Sequence, residues 1–380
     1  MDAQFLERLR QLVALPTVSS ADPALDMSND AIVARLAEWL ESLGFGVRMV
    51  DVAPGKRNLI ATAGHGSDGL VLAGHTDTVP FNAEYWNSDP FELVERDGRA
   101  YGLGVTDMKC FFPIVLEALR EIDLKRLTRP LTVLATADEE SSMAGARALQ
   151  DAGERLGSVA VIGEPTGLQP IVRHKGVMWL SIRVVGQAGH ASNPAFGRNA
   201  MNGMHRVITA LLAWHDKLML RYHDDAFDVP VPTLNLGRIA GGDSPNRICA
   251  HCELQFDMRI LPGMNADELL AEIQRLAEEA VAGHGLSVTT RTLMPAVPPM
   301  HTDAHCAAVT CAERWSGQSA GTVGFGTEAP FLTALGMDTV ILGAGDIDQA
   351  HQPDEYLELA RVDPMVALTR KFIDRFCHDD

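Results

Sequence analysis

With 380 residues, 46% hydrophobic and 22% charged, the chain has an ordinary globular make-up and is long enough for two domains with separate cores. A net charge of −18 argues against a basic face for nucleic acid and disfavours binding to an anionic membrane. The first residues lack the basic segment and apolar core of a signal peptide, no apolar run reaches membrane-spanning length, and six cysteines suit a reducing compartment, so a cytosolic protein is expected.

Apolar residues at helical spacing open the chain with Phe5, Leu6, Leu9, Leu12 and Val13. The pattern returns at Ile32, Val33, Leu36, Trp39 and Leu40, with Ser28 as the expected N-cap and Gly44 as the stop. Strand-like runs follow at 58–63, 70–73, 131–136 and 159–162, with 64–69 read as a hairpin turn. Helices are expected over 108–119, with Cys110 packed near its start, and around 144–149. Strands alternating with helices predict an α/β fold built on a doubly covered, mainly parallel sheet.

The character changes near Gly176. A strand at 177–185, a helix at 199–220, strands at 233–239 and 247–260 and a helix at 266–282 predict a small α+β unit. In 247–260, Ile248, Ala250, Cys252, Leu254, Phe256, Met258 and Ile260 alternate with Arg247, Cys249, His251, Glu253, Gln255, Asp257 and Arg259. Such alternation would send Cys249 and Cys252 to opposite faces, which is poor for chelation. The expected organisation is therefore 1–176 and 291–380 as two parts of one α/β domain, with 177–290 inserted between them. The second part carries a helix at 304–315, a strand at 339–342 and a final helix ending near Phe376.

Three of the apolar runs end in groups that bind metal ions. The run from Leu70 delivers His75 and Asp77, the run from Leu131 delivers Glu139 and Glu140, and the run from Val159 delivers Glu164. Ligands bind beyond the carboxyl ends of strands in open α/β sheets. One such acid would read as a helix cap; three in succession, with Asp107 and His351, point to a metal site. His351 by itself would be an ordinary surface histidine. Zinc takes imidazole nitrogen and carboxylate oxygen, and two zinc ions about 3.5–4 Å apart activate water and polarise a carbonyl. Two neutral imidazoles and three carboxylates offset all but one of the positive charges of such a pair.

The strings Gly74-His75-Thr76-Asp77-Thr78-Val79-Pro80, Gly102-Leu103-Gly104-Val105-Thr106-Asp107-Met108-Lys109, Ala137-Asp138-Glu139-Glu140 and Gly163-Glu164-Pro165-Thr166 resemble the signatures of the M20 metallopeptidase family. The resemblance runs in order along nearly the whole chain. It is nearest the acetylornithine deacetylase branch, through Pro232-Thr233-Leu234-Asn235-Leu236-Gly237, Asn246-Arg247-Ile248-Cys249, Thr327-Glu328-Ala329-Pro330-Phe331 and the stretch from Gln349 to Tyr356.

The resemblance implies a zinc-peptidase-like fold with an inserted lid and dimerisation domain, and a homodimer formed through it. It implies one or two Zn²⁺ per subunit, with Co²⁺ as a possible substitute. Asp107 would bridge the ions, His75 and Glu164 would complete one ligand set, and Glu140 and His351 the other. Glu139 would be the general base and acid, and Asp77 would fix the His75 imidazole. The peptide after Asp107 would be cis. His190 would donate to the oxyanion in the partner subunit's site. Asn246 and Arg259 would hold a substrate carboxylate, although Arg247 and Arg259 share a face and alternation does not choose between them. Glu328 would face a terminal ammonium or merely cap the helix after it.

The implied activity is removal of the acetyl group from N-acetyl-L-ornithine, giving L-ornithine and acetate in arginine biosynthesis. Alternatives are an amidohydrolase of acetylcitrulline or succinyl-diaminopimelate, a dipeptidase, or an inactive metal-binding dimeric scaffold. The intact ligand set and Glu139 weigh against the last.

Overall fold

The computed structural model describes residues 3–378. The chain divides into two compact units. The first takes in the chain up to Val172, then Thr302–Gly321, and everything from Thr327 onward; the second is Arg173–His301 with Thr322–Gly326.

In the first unit the sheet runs, from one margin, through Gly46–Ala53, Lys56–Ala63, Leu131–Thr136, Leu70–His75, Val159–Ile162 and Asp338–Ile341. The four strands from Leu131–Thr136 to Asp338–Ile341 are parallel, as expected of the centre of a mainly parallel sheet, and the strands before them are antiparallel. Leu70–His75, Leu131–Thr136 and Val159–Ile162 are buried along their whole length, which their Val, Leu and Ala content allows and a sheet covered on both faces requires. One cover is the helix Phe111–Leu119, buried at every position and packed against the terminal helix Val362–Cys377. Where the terminal helix meets the helix Ala307–Ser316, Trp315 and Phe372 pack edge-to-face at 5.1 Å.

Two local features differ from what the sequence pattern predicts. The residues 64–69 do not form a hairpin turn, because the strands they join are not neighbours. Both pair with Leu131–Thr136, which lies between them. The crossing chain passes so close to Pro130 that a Cβ at Gly69 would overlap its backbone, and only glycine fits. The second helix runs Asp30–Leu43 with Asn29, not Ser28, at the N-cap position. The Ser28 hydroxyl accepts the Asp30 N–H at 3.0 Å, while Asn29 ties the helix start to the sheet through the Arg57 backbone and the Thr76 hydroxyl. Gly44 ends the helix in the left-handed conformation, as expected.

In the second unit a four-stranded antiparallel sheet is ordered Thr233–Gly241, His251–Ile260, Gly176–Val185, Ser287–Thr292. Helices Ala200–Arg221 and Ala266–Val281 bury their apolar stripes against it, with Met204, Val207, Leu211, Leu269, Ile273 and Ala277 in the shared core. Asn199 and Asn265 cap the two helices through backbone N–H groups of the first turn.

The alternation expected for 247–260 holds only from His251, where the strand begins. Cys252, Leu254, Phe256, Met258 and Ile260 point inward. Because Cys249 precedes the strand, the opposite-face argument fails: Cys249 and Cys252 are both buried in one core, as free thiols. No helix among the described residues is long and apolar enough to cross a membrane.

Candidate metal centre

Since the central strands are parallel, their carboxyl ends open on one edge, and that edge collects the acids and histidines. His75 is the last residue of its strand and is buried. Its Nδ1 lies 3.0 Å from the main-chain oxygen of Asp77. A carbonyl can only accept, so Nδ1 carries a proton, and Nε2 is the nitrogen turned to the site. Nε2 is 3.0 Å from Asp107 Oδ1 and 3.9 Å from Glu164 Oε1. Glu164 follows the strand Val159–Ile162 through Gly163, where a Cβ would collide with the Phe111 ring. The peptide Asp107-Met108 is cis, as expected.

On the other side of Asp107, His351 Nε2 lies 3.4 Å from Asp107 Oδ2 and 3.1 Å from Glu140 Oε1. Two sets of ligand atoms result, each with its members within 4.8 Å of one another: His75, Asp107 and Glu164, and Asp107, Glu140 and His351. Asp107 is common to both. These are the five residues expected as ligands.

Glu139 belongs to neither set. Its side chain is buried beside them at the start of a turn, 139–142, whose preceding residue, Asp138, has a positive φ of 55°. That turn is pinned: Lys56 donates to Asp138 Oδ1 at 2.6 Å, Ser19 donates to the same oxygen at 2.9 Å, and the Glu140 N–H donates to Asp77 Oδ2 at 3.0 Å. His351 is likewise a non-glycine residue at positive φ, 60°. Strained residues of this kind persist where their surroundings hold them and collect at functional sites.

The electrostatics fit a cation. Glu164 Oε1 is buried with no hydrogen-bond partner among the described residues. Burial raises the carboxyls of Glu139 and Glu164 well above their ordinary range, and that of Glu140 to a lesser degree, with neighbouring carboxylates adding to each shift. Burial pushes Asp107 the same way, but hydrogen bonds from His351 and His75 outweigh it and hold its carboxyl below the usual range. Burial opposes charge on His75; Asp107, Glu164, Asp77 and Glu139 reverse that and raise it well above its ordinary value. His351 is raised to about 11 by its hydrogen bonds to Asp107 and Glu140. Such a set holds protons in place of a cation, and carboxylate oxygens with imidazole nitrogens are, once those protons leave, the donor set of a divalent ion.

The remaining expected residues fare differently. Asp77 does orient His75, but through its main-chain oxygen; its carboxylate stands 3.8 Å from Nδ1 and takes the Glu140 N–H instead. Glu328 neither caps the helix Ala329–Ala334, whose Ala329 N–H is taken by Thr327, nor lies open to a ligand. It is 1% exposed, accepts from Thr136 at 2.7 Å, and burial raises it to about 7.

In the second unit His190 is exposed, its Nδ1 2.7 Å from Ser192 Oγ, and Asn246 is exposed, accepting from Ser244. Arg247 and Arg259 do not share a strand face: Arg247 precedes the strand and pairs on the surface with Asp243 at 2.6 Å. Arg259 is half-buried and lines a cavity of about 290 Å³ with Lys175, Phe227 and Thr233. Sequence reasoning gave no role to two buried charged residues of the quoted strings, Lys109 and Glu355. Lys109 donates to the Leu15 carbonyl at 2.9 Å, and burial lowers it to about 7.

The chain is similar to known proteins in sequence and in fold. The chain is 46% identical over 378 residues to an acetylornithine deacetylase of Proteus mirabilis, a match covering 98% of this chain and 97% of that protein. Its fold is similar to that of an M20 family metallo-carboxypeptidase from Sulfolobus solfataricus, with a TM-score of 0.78 at 18% identity over 99% of both chains. It is also similar to a dinuclear metal-binding peptidase of the M20 family from Bacillus subtilis, with a TM-score of 0.66 at 16% identity over 97% of both. The model of peptidase family M20/M25/M40 matches residues 71–375, and the chain belongs to that family.

Proposed function

We propose that this protein is a metal-dependent amidohydrolase that removes the acetyl group from N-acetyl-L-ornithine, giving L-ornithine and acetate. The observation that carries the reading is the pair of ligand sets joined by Asp107, with the buried carboxylate of Glu139 beside them and in neither. The near full-length identity to an acetylornithine deacetylase supports the substrate.

His75, Asp107 and Glu164 would hold one divalent ion and Asp107, Glu140 and His351 a second; zinc suits these donors, and cobalt is a workable substitute. Bound there, the ions supply Lewis-acid polarisation of the acetyl carbonyl and a water of lowered pKa. Glu139 takes a proton from the attacking water and returns it to the leaving amine. Burial suits it to this work, because a carboxyl raised above its ordinary range is a stronger base and a usable acid near neutrality. Asp77 keeps the His75 proton on Nδ1 throughout.

From the second unit, His190 is proposed to donate to the oxyanion of a partner subunit's site, and Asn246 and Arg259 to hold the substrate carboxylate. Both arginines pair with an aspartate, Arg259 with Asp257 at 3.0 Å and Arg247 with Asp243 at 2.6 Å; Arg259 is favoured because it lines a cavity, while Arg247 lies on the surface. The protein is proposed to work as a cytoplasmic homodimer through this unit. Glu328, buried away from solvent, is left out of substrate binding.

The test is release of acetate and free amine from acetylornithine, acetylcitrulline, acetylated apolar amino acids, succinyl-diaminopimelate and a dipeptide, with metal-loaded enzyme. Acetylornithine should be the fastest substrate. Faster hydrolysis of succinyl-diaminopimelate or of the dipeptide would overturn the substrate assignment, and no turnover of any would overturn the enzyme.

A further inference from the structure

The segment that carries His351 also holds Asp107 in place. Four residues past His351, the carboxylate of Glu355 is 2% exposed and takes three backbone N–H groups from the loop leading to Asp107. Oε2 accepts from Gly104 at 2.8 Å, and Oε1 accepts from Thr106 at 2.7 Å and from Asp107 itself at 3.1 Å. The main chain adds two more ties, Gly102 N–H to Glu355 O at 3.1 Å and the Thr106 hydroxyl to Tyr356 O at 2.8 Å. Just beyond, Tyr356–Glu358 pairs with Arg99–Tyr101, so the two segments run side by side from a small sheet up to the ligands.

A loop could be anchored by backbone pairing alone. Here a carboxylate has been buried to do it, and a buried carboxylate is costly unless its hydrogen bonds are made. Those bonds converge on the residue shared by both ligand sets.

Resting on the metal centre proposed above, we infer that Glu355 is a positioning residue for both ions: it gathers the amides of the Gly104–Asp107 loop and so sets where the two oxygens of Asp107 stand relative to His75 and His351. It does not touch the ligand atoms. Its effect passes through Asp107, and since Asp107 belongs to both sets, disturbing Glu355 weakens both sites together.

Glu355→Gln is the test, because it keeps the shape while replacing one acceptor oxygen with an NH₂ that faces a donor. Metal-stripped wild type, Glu355→Gln and, as a control on the same small strand, Glu358→Gln are titrated with Co²⁺, by calorimetry and by the visible absorption of the bound ion. Loss of an outer partner of a metal ligand lowers affinity about 10–100-fold. That loss is expected for both ions in Glu355→Gln, with a shifted cobalt spectrum, and not in Glu358→Gln, whose partner is Arg99.

Wild-type affinity and spectrum in Glu355→Gln would overturn the role of Glu355, as would an equal loss in Glu358→Gln, which would mark a general effect of the strand. Wild type that takes up no Co²⁺ would overturn the metal centre itself. Should Glu355→Gln fail to fold, Glu355→Asp is read by the same criteria, since it keeps both oxygens but draws them back by about one bond length, ~1.5 Å.

Discussion

Glu139 and Glu140 are neighbours in the chain whose carboxylates stand differently toward the candidate metal centre: Glu140 Oε1 lies 3.1 Å from His351 Nε2, whereas Glu139 enters neither set of candidate ligand atoms. The turn that holds both is fixed by Lys56 and Ser19 on Asp138 and by Asp77 on the Glu140 N–H. Glu139→Ala is therefore expected to bind metal as tightly as wild type and to lose roughly 10²–10⁴ in turnover, the usual worth of a general acid–base group. Metal content and kcat measured on one preparation check this; loss of metal would move Glu139 into the ligand set.

Asp107→Ala should behave in the opposite way. Since Asp107 is the one residue common to both sets, its removal is expected to cost both ions, while Glu164→Ala should cost chiefly the ion held with His75. Metal content by elemental analysis after dialysis separates the two variants. Retention of one full equivalent in Asp107→Ala would argue that the sets are independent.

Loading the site should stabilise the fold. The crowded carboxylates Asp107, Glu139, Glu140 and Glu164 repel one another, and an ion that binds only the folded state adds about 2.7 kcal/mol at a hundredfold excess over its Kd. For a unit of this size that is a Tm rise of roughly 5–10 °C. Thermal scans with chelator, and then with restored Zn²⁺, measure it; a Tm indifferent to chelator would count against a metal held by these buried groups.

Acid should act on the second unit through His174. It is fully buried, it donates from Nδ1 to the Lys175 carbonyl at 2.9 Å, and burial lowers it to about 4. The unfolded chain takes up this proton near the ordinary value of about 6.5, so between the two values the unfolded state binds more protons than the folded one. Stability is then full above about pH 6.5, falls as the pH drops toward 4, and levels below; the group accounts for roughly 3 kcal/mol at most. His174→Gln should flatten the pH dependence of urea unfolding over that window. An unchanged slope would assign the acid sensitivity elsewhere.

Mixing tests the proposed dimer. Glu139→Ala and His190→Ala homodimers should each be inactive, and hybrids formed by subunit exchange should recover part of the activity if His190 serves the partner's site. Verified heterodimers with no recovery would mean that His190 acts within its own subunit or not at all.

The five candidate ligands were legible in the sequence because most of them follow apolar runs of strand length, and parallel strands bring their carboxyl ends to one edge whatever the loops do. The roles of individual residues came from the family strings, and periodicity alone would have left His351 a surface histidine. The inward face of His251–Ile260 was legible too, since alternation reports burial directly.

Other features depended on contacts between residues far apart in the chain. Periodicity does not say which strand lies beside which: a short glycine-rich link suggests a hairpin at 64–69, but Leu131–Thr136 lies between the strands it joins. It does not say where a strand begins, and Arg247 and Cys249 were placed in one they precede. Nor does it choose between atoms of a single residue. Whether Asp77 meets His75 through its carbonyl or its carboxylate, whether Glu328 is open or buried, and what Glu355 holds were all decided by packing at ångström scale. A hydrogen bond is gained or lost over a few tenths of an ångström, and hydrophobic pattern carries no information that fine.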